Sequence, residues 1–101
     1  MRTTINELEG FQYRARFREN GVAIVPTTVH WRITREADEY VIQDFTEVTP
    51  ASEVTVTVAG SLNAMTTGGP RESRRLTVVG DKDLDLEYSV DHPYDIRSSG
   101  R

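Results

Sequence analysis

Hydrophobic and polar residues alternate strictly in residues 28–35, which read Thr-Val-His-Trp-Arg-Ile-Thr-Arg. In an extended chain Val29, Trp31 and Ile33 point to one side, and the residues between them point to the other. A period of two that is rich in β-branched residues is typical of a strand with one buried face. Because Trp31 is the only tryptophan and the largest apolar side chain, we expect the core to be built around it.

The same period of two recurs on both sides of this segment and predicts further strands. After Gly10, the apolar residues Phe11, Tyr13, Ala15 and Phe17 alternate with polar ones. Further strands are expected over residues 40–45, 53–59, 74–79 and 84–90. Six or seven short strands, with turn signals every ~8–12 residues and no sustained helical period, predict a small antiparallel β-sandwich. A β-barrel is the alternative architecture.

Two local features of the strands are also predicted. Asn20-Gly21 is a strong signal for a tight turn because both residue types tolerate positive φ. Gln43-Asp44 interrupts the apolar pattern of the third long strand, so we expect an irregularity there. The domain is expected to span residues 10–92, with an N-terminal arm over residues 1–9 and a C-terminal tail over residues 93–101.

Length, composition and charge narrow the classes of protein. A chain of 101 residues forms one domain. Its net charge of −4 disfavours non-specific binding to nucleic acid. The chain has no apolar run near the ~20 residues that span a membrane and no apolar region of a signal peptide, so folding in a cytoplasm is expected. Without cysteine, neither disulfides nor a thiolate metal site is available.

The charged residues are distributed unevenly and supply candidate interface residues. The basic row lies on the outer face of the predicted first strand and consists of Arg14, Arg16 and Arg18. The acidic row lies on the outer face of the predicted last strand and consists of Asp83, Asp85 and Glu87. If these strands are neighbours, the two rows form ion pairs across the sheet, and each exposed pair stabilises the fold by about 0.2–1 kcal/mol. The other interpretation is that either row binds a partner of opposite charge.

The loop over residues 60–70 is the longest one predicted. Its Asn63 and Met65 are candidates for contact with a partner, because binding residues concentrate on loops held by a rigid scaffold. Asn63 is also a candidate local cap. The alternative is a flexible crossover between sheets. On the following strand we expect one of Arg74 and Arg75 to point outward and the other to lie at an edge, with Glu72 paired to one of them.

Few residues suggest catalysis or metal binding. Residues 81–85 have the acidic spacing that opens a calcium loop, but Leu86 and His92 stand where that loop needs Gly and Glu. A solvated strand face is therefore favoured over a weak cation site. The two histidines, His30 and His92, are expected to be isolated surface residues. No nucleophile motif or phosphate loop is present, so we expect no cofactor, no metal and no enzymatic activity.

Several runs of sequence resemble a known class of protein. Residues 11–33 read F-x-Y-R-A-R-F-R-E-N-G-V-A-I-V-P-T-T-V-H-W-R-I, and later runs read P-A-S-E-V-T-V-T-V-A-G-S-L-N-A-M, E-S-R-R-L-T-V-V and Y-S-V-D. This pattern resembles small phage virion proteins with an immunoglobulin-like (Ig-like) or fibronectin-type-III-like sandwich. Such proteins share an aromatic first strand, a G-x-x-x-x-P turn and a Trp in the second strand. The resemblance covers roughly residues 11–91.

The resemblance implies an all-β fold, an antiparallel Ig-like β-sandwich of about seven strands. It implies a structural role in the virion, either decorating the capsid or joining head, neck or tail components. The implied partners are capsid, portal or tail proteins, with self-association as a further option and with assembly in the host cytoplasm. The alternative is an Ig-like binding module that recognises a carbohydrate or a cell-surface partner. That function would need an exposed aromatic platform, for which Phe45 and Tyr94 are the main candidates.

Overall fold

A computed structural model describes residues 3–84 and 87–98 of the chain. These residues form a short 3₁₀ helix over Gly60–Asn63 and nine strands: β1 (Thr3–Asn6), β2 (Phe11–Arg16), β3 (Arg18–Glu19), β4 (Val22–Ala23), β5 (Val29–Arg35), β6 (Tyr40–Val48), β7 (Glu53–Val58), β8 (Arg71–Gly80) and β9 (Tyr88–Arg97). The prediction of an all-β protein is confirmed.

The strands form one wide sheet and two narrow ones. The wide sheet has five strands in the order β1-β9-β8-β5-β6, while β2 pairs with β7 and β3 pairs with β4. All pairings are antiparallel except that of β1 with β9, which is parallel. The expectation of a wholly antiparallel fold is therefore corrected. A parallel pair needs a long connection, and nearly the whole chain lies between these two strands.

The core lies between the wide sheet and the β2–β7 pair. The predicted inward residues of β5 are buried, with Trp31 7% exposed and its apolar neighbours on the same face fully enclosed. The second sheet contributes the three valines of β7 and the inward residues of β2, among them Ala15. The rings of Phe11 and Tyr94 meet edge to face, with 4.9 Å between their centroids, and so join the two sheets. The strict alternation in the sequence thus identified the buried faces correctly.

Both predicted local features are confirmed. Asn20 and Gly21 have φ values of 52° and 80° and connect β3 to β4, as a two-residue hairpin turn of type I′ requires. In β6 the pairing register shifts, because Trp31 lies opposite Thr46 whereas Ile33 lies opposite Gln43. The extra residue in this interval is the expected irregularity, a β-bulge.

The sheet extends beyond the predicted domain boundaries at both ends. Residues 3–6, expected in an arm, form β1, and residues 94–97, expected in a tail, form the second half of β9, opposite β1. Burial explains the pairing, since Ile5 is 8% exposed and Ile96 is fully buried. A four-residue strand with one buried residue shows no recognisable period. Residues 1–2 and 99–101 of the predicted arm and tail lie outside the described residues.

The start of the last strand also differs from the prediction. Leu84 was expected to face the core, but it is 55% exposed and lies in the connection between β8 and β9. Asp81 and Asp83 both adopt positive φ in this connection, which turns the chain before β9 begins at Tyr88. Asp and Asn are among the few non-glycine residues that adopt this conformation readily.

Candidate interaction site at a free strand edge

Within the described residues, β2 has a pairing partner on one side only. The Phe17 N–H donates to the Ser52 carbonyl across this ladder, at 2.8 Å. Because hydrogen-bonded and non-hydrogen-bonded pairs alternate in an antiparallel ladder, the N–H and C=O groups of Gln12, Arg14 and Arg16 point away from β7. Three residues with outward side chains therefore also present their backbone donors and acceptors at a free edge.

A groove of about 470 Å³ lies beside this edge, lined by Tyr13, Arg14, Arg16 and Val90. It opens between the two sheets, because Val90 belongs to β9 and the other lining residues belong to β2. The imidazole of His92 stacks on the Tyr13 ring with 4.4 Å between centroids. Since β1 covers β9 only over residues 94–97, residues 88–93 have no described strand on that side. The groove is therefore the open flank of the core.

The edge carries more basic groups than acidic ones. Glu53 on β7 accepts from Arg16 at 2.8 Å and lies 3.3 Å from the Nε of Arg14, so one carboxylate serves two guanidinium groups. The Arg14 and Arg16 side chains are 61% and 57% exposed, which leaves their remaining donors accessible. Arg18 follows on β3 and is exposed. The basic row thus retains a positive charge at the free edge.

The predicted pairing between the basic and acidic rows is wrong, because β2 and β9 belong to different sheets. Asp83 lies in the connection before β9, where its backbone N–H donates to Glu87 and its carboxylate accepts from Lys82. Asp85 lies outside the described residues. Asp83 and Glu87 therefore stabilise a connection and do not lie on a strand face. Among the described residues, no group of three or more Asp, Glu and His side chains is placed to hold a metal ion.

The predicted loop contacts are also corrected. Asn63 is fully buried, donates to the Glu9 carbonyl at 2.7 Å and accepts from the Tyr94 hydroxyl at 3.0 Å. It ends the 3₁₀ helix and gives no side-chain cap to its start. Met65 is half-buried against the core, and its N–H donates to Glu7 at 3.1 Å. Neither side chain is an open contact surface, because both attach the loop to the body of the fold.

A buried ion pair between Glu72 and Arg74 fixes the same loop; the pairing was predicted from the sequence, but its burial was not. Arg74 was expected to be outward or at an edge, but it is fully buried. It donates to Glu72 at 2.7 Å and to the carbonyls of Leu62 and Ala64. The other carboxylate oxygen of Glu72 accepts from the N–H and hydroxyl groups of two loop threonines, residues 66 and 67. The loop is thus anchored, and the prediction that Glu72 pairs with one of the arginines is confirmed.

The same contacts set the ionisation of the pair. Burial raises the pKa of Glu72, but the hydrogen bond from Arg74 and those from Thr66 lower it by more, so the pKa lies below its ordinary value. Burial also raises the pKa of Tyr94 to about 12, so its hydroxyl stays protonated and can donate to Asn63. Both groups are thereby held in the ionisation state that stabilises the loop.

The two aromatic residues predicted as a carbohydrate platform, Phe45 and Tyr94, do not form one. Tyr94 is fully buried. Phe45 is half-buried, and its ring is approached by Arg32 at 4.7 Å and by Lys82 at 4.9 Å. His92, expected at the surface, is half-buried in the stack with Tyr13. These rings are covered by neighbours, so they give no support to the carbohydrate alternative.

Compared with protein-family models, with curated proteins and with solved structures, the chain matches none. No helix in the described part of the chain is long and apolar enough to cross a membrane.

Proposed function

We propose that the chain is a structural protein of a phage virion, an Ig-like module that binds a neighbouring virion protein through the free edge of β2. In this role it decorates the capsid or joins head, neck or tail components, and it enters the particle during assembly in the host cytoplasm. One observation supports the binding part of this proposal: β2 combines backbone groups that no described strand pairs with, a basic row and an adjoining groove.

Two features of the fold support an Ig-like module. A five-stranded sheet packs on the β2–β7 pair, and Trp31 on β5 lies in the shared core. The resemblance of residues 11–91 to phage virion proteins supports the same assignment. The anchored loop at residues 60–70 adds rigidity, which lowers the entropy lost when a module docks into an assembly.

The genomic neighbourhood and the composition of the particle test this proposal. We expect genes for capsid, portal or tail proteins beside the gene for this chain, and we expect mass spectrometry to detect the chain in purified virions. Particles should be purified by two unrelated methods, with an abundant host protein quantified as the control for carry-over. Absence of the chain from such particles would contradict the proposal.

A further inference from the structure

We infer that the β2 edge accepts an extended segment of a partner protein as an added strand, and that this segment alternates apolar and acidic residues. This inference deepens the proposed function and rests on it, because it specifies how the neighbouring protein is recognised. It commits to a partner segment of stated chemistry.

The backbone of β2 supplies the first reason. The outward N–H and C=O groups of Gln12, Arg14 and Arg16 form the repeating pattern that an added strand pairs with. Six residues of β2 pair with β7 in continuous register, so this edge contains no bulge. A strand added here would widen the narrow sheet and lie over the uncovered part of β9, where Val90 is half-buried.

The side chains of β2 specify the sequence of the added strand. Neighbouring residues across a ladder project from the same face of the sheet. Residues of the partner beside Tyr13 and Ala15 therefore point toward the groove and the core, where apolar side chains are favoured. Residues beside Arg14 and Arg16 point outward next to guanidinium groups that share a single carboxylate, which favours Asp or Glu.

The free edges of β7 and β6 lack this combination. By the same alternation, the free edge of β7 presents Glu53, Thr55 and Thr57, which carry no positive charge. The edge of β6 is interrupted by a bulge, a feature that disfavours strand addition. Of these three edges, β2 is therefore the one that matches an acidic extended segment.

A synthetic peptide of alternating valine and glutamate, capped at both ends, is the probe for this inference. We expect it to bind the full chain and to perturb the amide signals of Gln12, Arg14 and Arg16 in NMR spectra. A peptide of alternating valine and lysine should bind at least about tenfold more weakly, because its charges oppose the basic row. Equal binding of the two peptides, or no binding of the glutamate peptide, would overturn the inference.

Two proline variants separate strand addition from simple charge attraction. Gln12→Pro removes one N–H from the free edge and keeps every arginine, whereas Thr57→Pro makes the same change on the opposite free edge, directly across the ladder. We expect Gln12→Pro to weaken peptide binding at least about tenfold, because the ring also occupies the space of the added strand, and Thr57→Pro to leave binding unchanged. Equal effects of the two variants would contradict strand addition.

A charge variant and a self-association assay complete the test. If Gln12→Pro fails to fold, the double variant Arg14→Glu and Arg16→Glu serves instead, and unchanged peptide binding by it overturns the inference. If the chain forms dimers that the peptide does not disrupt and that Gln12→Pro abolishes, the occupant is a second copy and the inference fails.

The inference and the proposed function fail in different ways. A chain that is present in virions but does not bind the peptide retains its proposed function. A chain that binds the peptide but is absent from virions loses the proposed function.

Discussion

Replacing Arg74 with methionine should destabilise the protein far more than the same change at the next residue. Arg74 is fully buried and donates to Glu72 and to two loop carbonyls. Arg74→Met leaves the Glu72 carboxylate buried without its counter-charge, a change that costs about 3–5 kcal/mol. Since domains of this size unfold with about 5–15 kcal/mol, the variant should fold but unfold at a much lower denaturant concentration.

Arg75→Met is the matched control. Arg75 lies on the opposite face of β8 and is 36% exposed, and its Nη1 stands 3.9 Å from a carboxylate of Glu39 that is itself 78% exposed. Such pairs contribute little, so we expect a change within about 0.5 kcal/mol. Urea denaturation followed by Trp31 fluorescence gives both values. If the two variants lose equal stability, the reasoning about the buried pair is refuted.

The pH dependence of the free energy of unfolding tests independently whether the Glu72–Arg74 pair stabilises the fold. In the native protein the pKa of Glu72 is lowered, so its contribution to stability is present above the unfolded pKa near 4.5 and is lost as pH falls through the folded pKa. In Arg74→Met the guanidinium no longer opposes the effect of burial, so the pKa of Glu72 rises above its native value although the hydrogen bonds from Thr66 remain. Acidification then relieves the buried charge, so the stability difference between variant and native protein should shrink at low pH. A difference that grows on acidification would contradict this account.

Three further outcomes are expected. Gly80→Ala places a Cβ 2.7 Å from the ring of Pro26, so we expect a loss of about 1–3 kcal/mol in urea denaturation, and an unchanged midpoint would contradict the packing described. The hydrogen bond from Arg35 lowers the pKa of Asp38 to about 2. An NMR titration of the Asp38 carboxyl carbon should show that value. A pKa near the ordinary 3.8 would mean that Arg35 and Asp38 do not form their hydrogen bond in solution. The pKa of Tyr94 is raised to about 12, so its stabilising effect persists below pH 10 and is lost as pH rises toward 12. Ultraviolet titration should detect a tyrosine that ionises near pH 12, and the absence of such a late step would contradict the burial of Tyr94.

The strands that sequence analysis predicted well are those with strict alternation. Residues 53–58 alternate valine with polar residues, and each valine is buried. The same rule of parity also holds for the charged residues of β8. Leu76 and Val78 were expected inside, so Arg74 and Glu72, at the same parity, also face inward. Their charge suggested exposure, but mutual pairing and loop carbonyls satisfy them inside the fold.

The basic row was recognised in the sequence, but its neighbours were not. Arg14 and Arg16 alternate with apolar residues and so were expected on an outer face, as the structure has them. Their pairing partner depends on which distant strand lies alongside, and local pattern does not determine that choice. Residues 83–87 carry more acidic side chains than β7, which contributes only Glu53 to this pairing. The neighbour of β2 is nevertheless β7. β1 was not predicted because it has a single buried residue, Ile5, and one residue cannot show an alternation of apolar and polar positions.

Hydrogen exchange of the amides along β2 in the isolated protein tests the central claim most directly. If one edge of β2 is free, the amides of Tyr13 and Ala15, which face β7, exchange slowly, and those of Gln12, Arg14 and Arg16 exchange about a hundredfold faster or more. Uniform protection along the strand would mean that the edge is already occupied, and it would contradict the proposed mode of binding.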